Sequence, residues 1–286
     1  MSVKRRSQFN IIIAVFVLLT ALFITVITYF AAFALTVILG AIDVTDVDTA
    51  TVDQGIFNLL RFMVAFIIFG YWYHRIGFTE NELEKRKINA KAALKFIVHP
   101  LRLLFLILLG VAIQLGTDGI LYVLSNSFPA YFESYKEMIT EFAGNRSVLY
   151  LITVIVLSPI IEELIFRGLV LHYARNAFSS RRGLIVANIF QALLFALYHG
   201  NLIQGVYAFI FGLLLGYITI KTDSLVINIL LHMIINGSLY IIPGNLFGDN
   251  LSAVLISAVS LSVIFLSVVY LSFAISSKLS TYSDIG

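Results

Sequence analysis

The stretch IIIAVFVLLTALFITVITYFAAFALTVIL, Ile11–Leu39, contains no charged residue. A helix needs about 20 apolar residues to cross a hydrocarbon core about 30 Å thick, so this run is long enough to span a bilayer. Lys4, Arg5 and Arg6 precede it, as basic residues precede a secretory leader. The run far exceeds a leader's apolar region and no small-residue cleavage site follows, which predicts an anchor that stays. Outward from it, seven more apolar runs follow: Ile56–Tyr73, Leu101–Leu115, Leu149–Tyr173, Leu184–His199, Ile203–Ile220, Leu225–Ile242 and Leu251–Ile275.

With 60% hydrophobic and 12% charged residues among 286, these runs predict an all-α polytopic membrane protein of about eight transmembrane helices. Strands of a membrane barrel would alternate polarity with a period of two, and no such pattern is present. The absence of cysteine excludes disulfides, thiolate nucleophiles and cysteine zinc sites. A net charge of +3 is too small to point to nucleic acid, and the basic residues sit at the edges of the apolar runs, where the expected partner is the lipid bilayer.

Orientation follows from the Lys/Arg bias of short loops. The N-terminus is basic, and the second loop carries Arg75, Lys85, Arg86, Lys87, Lys91, Lys95 and Arg102. The first loop has Asp43, Asp46, Asp48 and Asp53 without Lys or Arg. Arg175, Arg181, Arg182, Lys221 and Lys278 follow the even-numbered spans, so both termini are expected to be cytoplasmic. Two loops are expected to form interfacial helices. One opens at Thr79-Glu80-Asn81-Glu82, which has capping-box spacing. The other runs from Phe128 to Phe142, with Pro129 in its first turn. No fixed-period repeat or long linker divides the chain, which predicts one membrane domain over residues 1–286.

An ionisable residue inside a span costs about 2.5–3.5 kcal/mol on insertion scales, so each needs a partner or a purpose. The informative ones lie almost wholly in the fourth, fifth and seventh spans. The fourth contains SPIIEELIFR, Ser158–Arg167. Glu163 and Arg167, four apart, can pair on one helix face, whereas Glu162 is rotated about 100° away. One carboxylate is matched and the other is left over. Pro159 cannot donate to the Ile155 carbonyl, close to Glu162. The fifth span ends Phe195-Ala196-Leu197-Tyr198-His199, and the seventh holds His232 and Asn236, four apart on one face.

An acid, two imidazoles and an amide in one bundle form a set that can perform hydrolysis. A carboxylate beside an imidazole can take a proton from water. A second imidazole and an amide can donate to the oxyanion that forms on the attacked carbonyl. Glu162, His199 and His232 would also compose a zinc ligand set, one carboxylate and two imidazoles. The H-E-x-x-H spacing is absent, so zinc is the disfavoured alternative and no cofactor is expected. Gly212 and Gly216 have small-xxx-small spacing, read as close helix packing ahead of a homodimer face. His74, His99 and His172 adjoin basic or interfacial residues and are expected to face headgroups.

Glu162-Glu163-x-x-x-Arg167, Phe195-x-x-x-His199 and His232-x-x-x-Asn236, in that order, resemble the CPBP (Abi) family of intramembrane proteases, which includes the CAAX prenyl endoproteases and bacteriocin-processing or self-immunity proteins. The resemblance implies a catalytic core over about residues 149–242. It implies that Glu162 activates water with His199 beside it, that His232 and Asn236 form the oxyanion hole, and that Glu163 and Arg167 are structural support. It argues for a glutamate protease over a zinc enzyme. The substrate would be a peptide or a membrane protein, and the lack of cysteine and of a eukaryotic retention signal favours a bacterial plasma membrane. Two other readings use the same residues: a non-catalytic regulator or self-immunity scaffold that binds a partner membrane protein, and a proton-relaying transporter. The intact motifs argue against the first, and confinement of polar residues to three spans argues against the second.

Overall fold

The computed structural model describes residues 3–41, 49–76, 79–144, 147–178, 180–242 and 246–283. Asp43, Asp46 and Asp48 of the acidic first loop lie outside the described residues. Among the described residues the chain is all-helical, without strands. The helices are α1 (Val3–Ala41), α2 (Thr49–Tyr71), α3 (Glu80–Ile97), α4 (Pro100–Ser127), α5 (Pro129–Gly144), α6 (Val148–Ala177), α7 (Arg181–Tyr198), α8 (Leu202–Thr222), α9 (Val226–Ile241) and α10 (Asn250–Ser283). Stretches of α1, α4, α6, α8 and α10 are long and apolar enough to cross a membrane, and α7 and α9 are shorter apolar helices.

The side chains of α1 show what solvent this surface is made for. Ala14, Val17, Ala21, Ile24, Thr28 and Ala32 are buried at helical spacing, while Phe16, Leu19, Phe23, Ile27 and Phe30 are exposed. Small residues face the protein and large apolar ones face out. In water such a surface would be a liability, whereas against hydrocarbon it is the ordinary arrangement of a multi-pass membrane protein.

The chain divides into two compact units: residues 1–84 with 146–217, and residues 85–145 with 218–286. In the first, α1 packs on α2 and on the C-terminal part of α6, and the Ser7 hydroxyl donates to the Ala177 carbonyl at 2.7 Å. α7 meets α8 through glycines. A Cβ at Gly212 would approach the Ala192 Cβ to 3.0 Å, and one at Gly216 would strike the Asn188 and Gln191 side chains. Those amides are committed: Asn188 Nδ2 donates to the Leu213 carbonyl at 3.0 Å, and Gln191 Nε2 to the Gly212 carbonyl at 2.8 Å. Gly216→Ala should therefore destabilise the fold by about 1–3 kcal/mol. Gly70, which has nothing within 4 Å of a built Cβ, should accept alanine without loss. Melting of the helical circular dichroism signal in detergent separates the two variants.

In the second unit α10 packs along α4, with Gly116 and Gly119 of α4 set against the buried Ser257 and Ser260 of α10. α4 continues to Ser127, past the Leu115 at which its apolar run ends, because Gln114 Nε2 donates to both Asp118 carboxylate oxygens at 2.9 Å within the helix. Together with Arg61 in α2, this pair overturns the expectation that polar residues are confined to three spans, and with it that argument against a transporter. α3 opens on a capping box: the Thr79 amide donates to Glu82 Oε2 at 2.7 Å, and the Glu82 amide to Thr79 Oγ1 at 3.3 Å. His74 and His99 are exposed. His172 corrects its sequence reading: it is buried, with a ring nitrogen 3.0 Å from Asn176 Nδ2, because α1 packs over that part of α6.

Candidate active site

α6 is not a regular helix. Wider π-helical turns at Thr153–Leu157 and Leu164–Val170 bracket the α-helical segment Ser158–Glu163. Pro159 lacks an N–H, so the usual bond to the carbonyl four residues back cannot form, and the Ser158 amide ahead of it donates five residues back to Thr153. Such local widening recurs at functional sites because it re-aims side chains. The two adjacent acids lie in the α-helical segment between these turns, where the ordinary rotation of about 100° per residue sends them to different surroundings. Glu163 is fully buried and accepts from Arg167 Nη1 at 2.9 Å. Glu162 is only half-buried, and the Ser158 hydroxyl donates to its Oε1.

Phe195 of α7 joins this pair to the fifth-span histidine. The Arg167 guanidinium carbon lies 4.3 Å from the centre of the Phe195 ring, Phe166 packs on that ring at 5.0 Å, and the His199 ring meets it edge-on at 4.8 Å. His199 Nδ1 is 2.8 Å from the Phe195 carbonyl. A carbonyl only accepts, so Nδ1 carries a proton and Nε2 of the neutral ring is left as the acceptor. Gly200, at φ +68°, follows His199 and ends the helix in the left-handed conformation that favours glycine. That stop fixes His199 at the end of α7.

Glu162, Glu163, Arg167 and His199 thus belong to the first unit, and His232 and Asn236 to the second. On α9, His232 is buried and Asn236 half-buried, one helical turn apart. The same helix is held by the Asn228 amide, which donates to Thr219 Oγ1 at 2.7 Å. Among the described residues, neither unit by itself gathers three His, Asp or Glu side chains into a metal-holding group.

The chemistry available in the first unit is therefore a partly open carboxylate held by a hydroxyl, a second carboxylate neutralised in the core, and an imidazole with a fixed tautomer. The three motifs lie in one continuous stretch of chain. Residues 144–238 match the family model of the type II CAAX prenyl endopeptidase Rce1-like proteins. This Rce1-like segment contains all three motifs complete and agrees with the CPBP resemblance. It supports a membrane endopeptidase in general. No curated protein and no solved structure matches the chain.

Sequence reasoning passed over Ser158 as the partner of Glu162, the Gln114–Asp118 pair, and Arg61. Each was signalled by i,i+4 spacing: Ser158 with Glu162, Gln114 with Asp118, and Phe57 with Arg61, whose guanidinium lies over the Phe57 ring at 5.5 Å.

Proposed function

We propose that the protein is an intramembrane endopeptidase, with a catalytic core over about residues 149–242, that cleaves a peptide bond of a membrane-associated or peptide substrate by direct attack of water. The observation that carries this reading is the unlike treatment of two neighbouring acids inside the Rce1-like segment: Glu163 is buried on Arg167, whereas Glu162 stays partly open and hydrogen-bonded to Ser158. A scaffold has no need of an open acid in the middle of a span.

In the proposed reaction Glu162 takes a proton from water as the oxygen bonds to the substrate carbonyl carbon. The carbonyl electrons move to oxygen, and His232 and Asn236 donate hydrogen bonds to that oxyanion. Collapse of the tetrahedral species breaks the C–N bond, and the proton held by Glu162 passes to the leaving amine. His199, with Nε2 as acceptor, orients the water. Glu163 and Arg167 keep the helix in register. Metal is not required in this scheme, so activity should survive exhaustive chelation.

Both termini are assigned to the cytoplasmic side of a bacterial plasma membrane. Contacts within the second unit agree with which of its loops share a side. Arg86 and Asp223, in loops assigned to the cytoplasm, pair at 3.4 Å, and Asn126 and Asn250, at outward-facing helix ends, hydrogen-bond at 3.1 Å.

Asn236→Ala tests the oxyanion assignment. Loss of one such donor should lower turnover about 100- to 1,000-fold with little change in substrate affinity. Single-turnover cleavage and equilibrium binding distinguish this from a packing defect, which would weaken both. The rate of wild-type protein before and after chelation checks the metal-free scheme. Loss of activity on chelation, restored by stoichiometric zinc, would replace it with a zinc mechanism.

A further inference from the structure

Arg61 lies near the middle of α2, with its guanidinium carbon 4.6 Å from the centre of the Phe62 ring and 5.5 Å from that of Phe57. Its Nε is buried without a hydrogen-bond partner, and among the described residues it makes no ion pair. A guanidinium stays charged at any accessible pH and carries five donors but no acceptor. The two rings offset part of the cost of holding it there, but a ring face leaves the buried Nε–H without an acceptor. Arg61 lines a cavity of about 10 Å³ with Thr25 of α1, Phe69 of α2, Ile161 and Ile165 of α6, and Tyr198 of α7. That is room for one water-sized group.

No acid lines the cavity, so its polar character is set by a cation and two hydroxyls. Tyr198 lines the cavity beside Thr25 and lies within electrostatic reach of both Arg61 and Glu162. Ile161 immediately precedes Glu162, and Tyr198 immediately precedes His199. Two of the residues that line the cavity are thus chain neighbours of Glu162 and His199.

We propose that Arg61, with the Tyr198 hydroxyl, forms a subsite that takes one oxygen of a carboxylate carried by an otherwise apolar ligand. An acceptor-only group with two oxygens suits the guanidinium fork, and the apolar walls suit a ligand that partitions into the membrane. A position in the middle of α2 disfavours a lipid phosphate at the headgroup level. The carboxylate comes either from the C-terminus of a peptide or from a fatty acid. The proposal rests on the geometry of the first unit and does not require that the protein be a protease.

Trp72 provides the readout. It is the chain's single tryptophan and stacks at 16° on Phe69, which lines the cavity. Full-length protein in detergent is titrated with N-acetyl-Leu-Leu-Leu as free acid and as C-terminal amide, and with dodecanoate and dodecanol, following Trp72 fluorescence. At least one acid should bind tenfold or more tightly than its neutral counterpart. Preference in the peptide pair identifies a peptide C-terminus, and preference confined to the dodecanoate pair identifies a fatty acid. Arg61→Gln should abolish the preference and Arg61→Lys should retain part of it. Tyr198→Phe, which keeps the ring, should weaken acid binding alone and tests the site even if Arg61→Gln fails to fold. Equal binding of acids and neutral counterparts by the wild type, or an undiminished preference in a folded Arg61→Gln or Tyr198→Phe protein, would overturn the proposal.

Discussion

Glu162→Gln is expected to lower proteolysis by about 100- to 10,000-fold, the range a general base contributes, while leaving membrane insertion, abundance and thermal stability close to wild type. Glutamine keeps the length and shape of the side chain and can still accept from the Ser158 hydroxyl through its amide oxygen, so the local packing of α6 should persist. What it cannot do is accept a proton from water. Glu162 is only half-buried, so no buried charge is left without a partner by the change. Cleavage and melting should be measured on the same preparations. Equal cleavage rates in the two proteins would remove Glu162 from the mechanism, and a parallel fall in stability would reassign it to the fold.

The neighbouring change should act in the opposite sense. Glu163→Gln leaves Arg167 charged, 1% exposed and without its carboxylate, and breaking one half of a buried pair typically costs about 3–5 kcal/mol. Among the described residues, Arg167 Nε and Nη2 have no hydrogen-bond partner, so what remains to hold the charge is the face of Phe195 and the field of the Glu162 carboxylate. Melting temperature and folded yield should fall together, and activity should fall with them because Phe195 links Arg167 to His199. The double variant Glu163→Gln/Arg167→Met removes the stranded charge and should recover most of the lost stability. If the single variant melts like wild type, the pair does not support the fold. If the double variant is no better than the single, the cost lies in packing and not in charge.

Much of the helical fold was legible because apolar run length is a direct physical requirement of a span and needs no knowledge of tertiary contacts. The shortfall in α4 has a definite cause. Gly116, Thr117, Asp118 and Gly119 interrupt the apolar run, yet the helix continues because glycine permits close approach to α10 and Gln114 satisfies Asp118 within the helix. Neither compensation is visible in hydropathy. At the site, the four-residue spacing announced the Glu163–Arg167 pair directly. It also encoded Ser158–Glu162 and Phe57–Arg61, which were passed over because a serine and a phenylalanine do not advertise charge chemistry. The Phe195–His199 contact is itself an i,i+4 pair, but the contacts of Phe195 with Arg167 and Phe166 depend on how α7 docks on α6. No spacing within one helix expresses that.

The most direct test of the central claim is a mass-spectrometric survey of new peptide termini in membranes of cells expressing the wild type or Glu162→Gln at matched abundance. The account predicts at least one membrane-associated precursor that is cleaved with the wild type and accumulates intact with Glu162→Gln, its new terminus falling to about 1% or less of the wild-type level. An identical set of termini in the two membranes would contradict it.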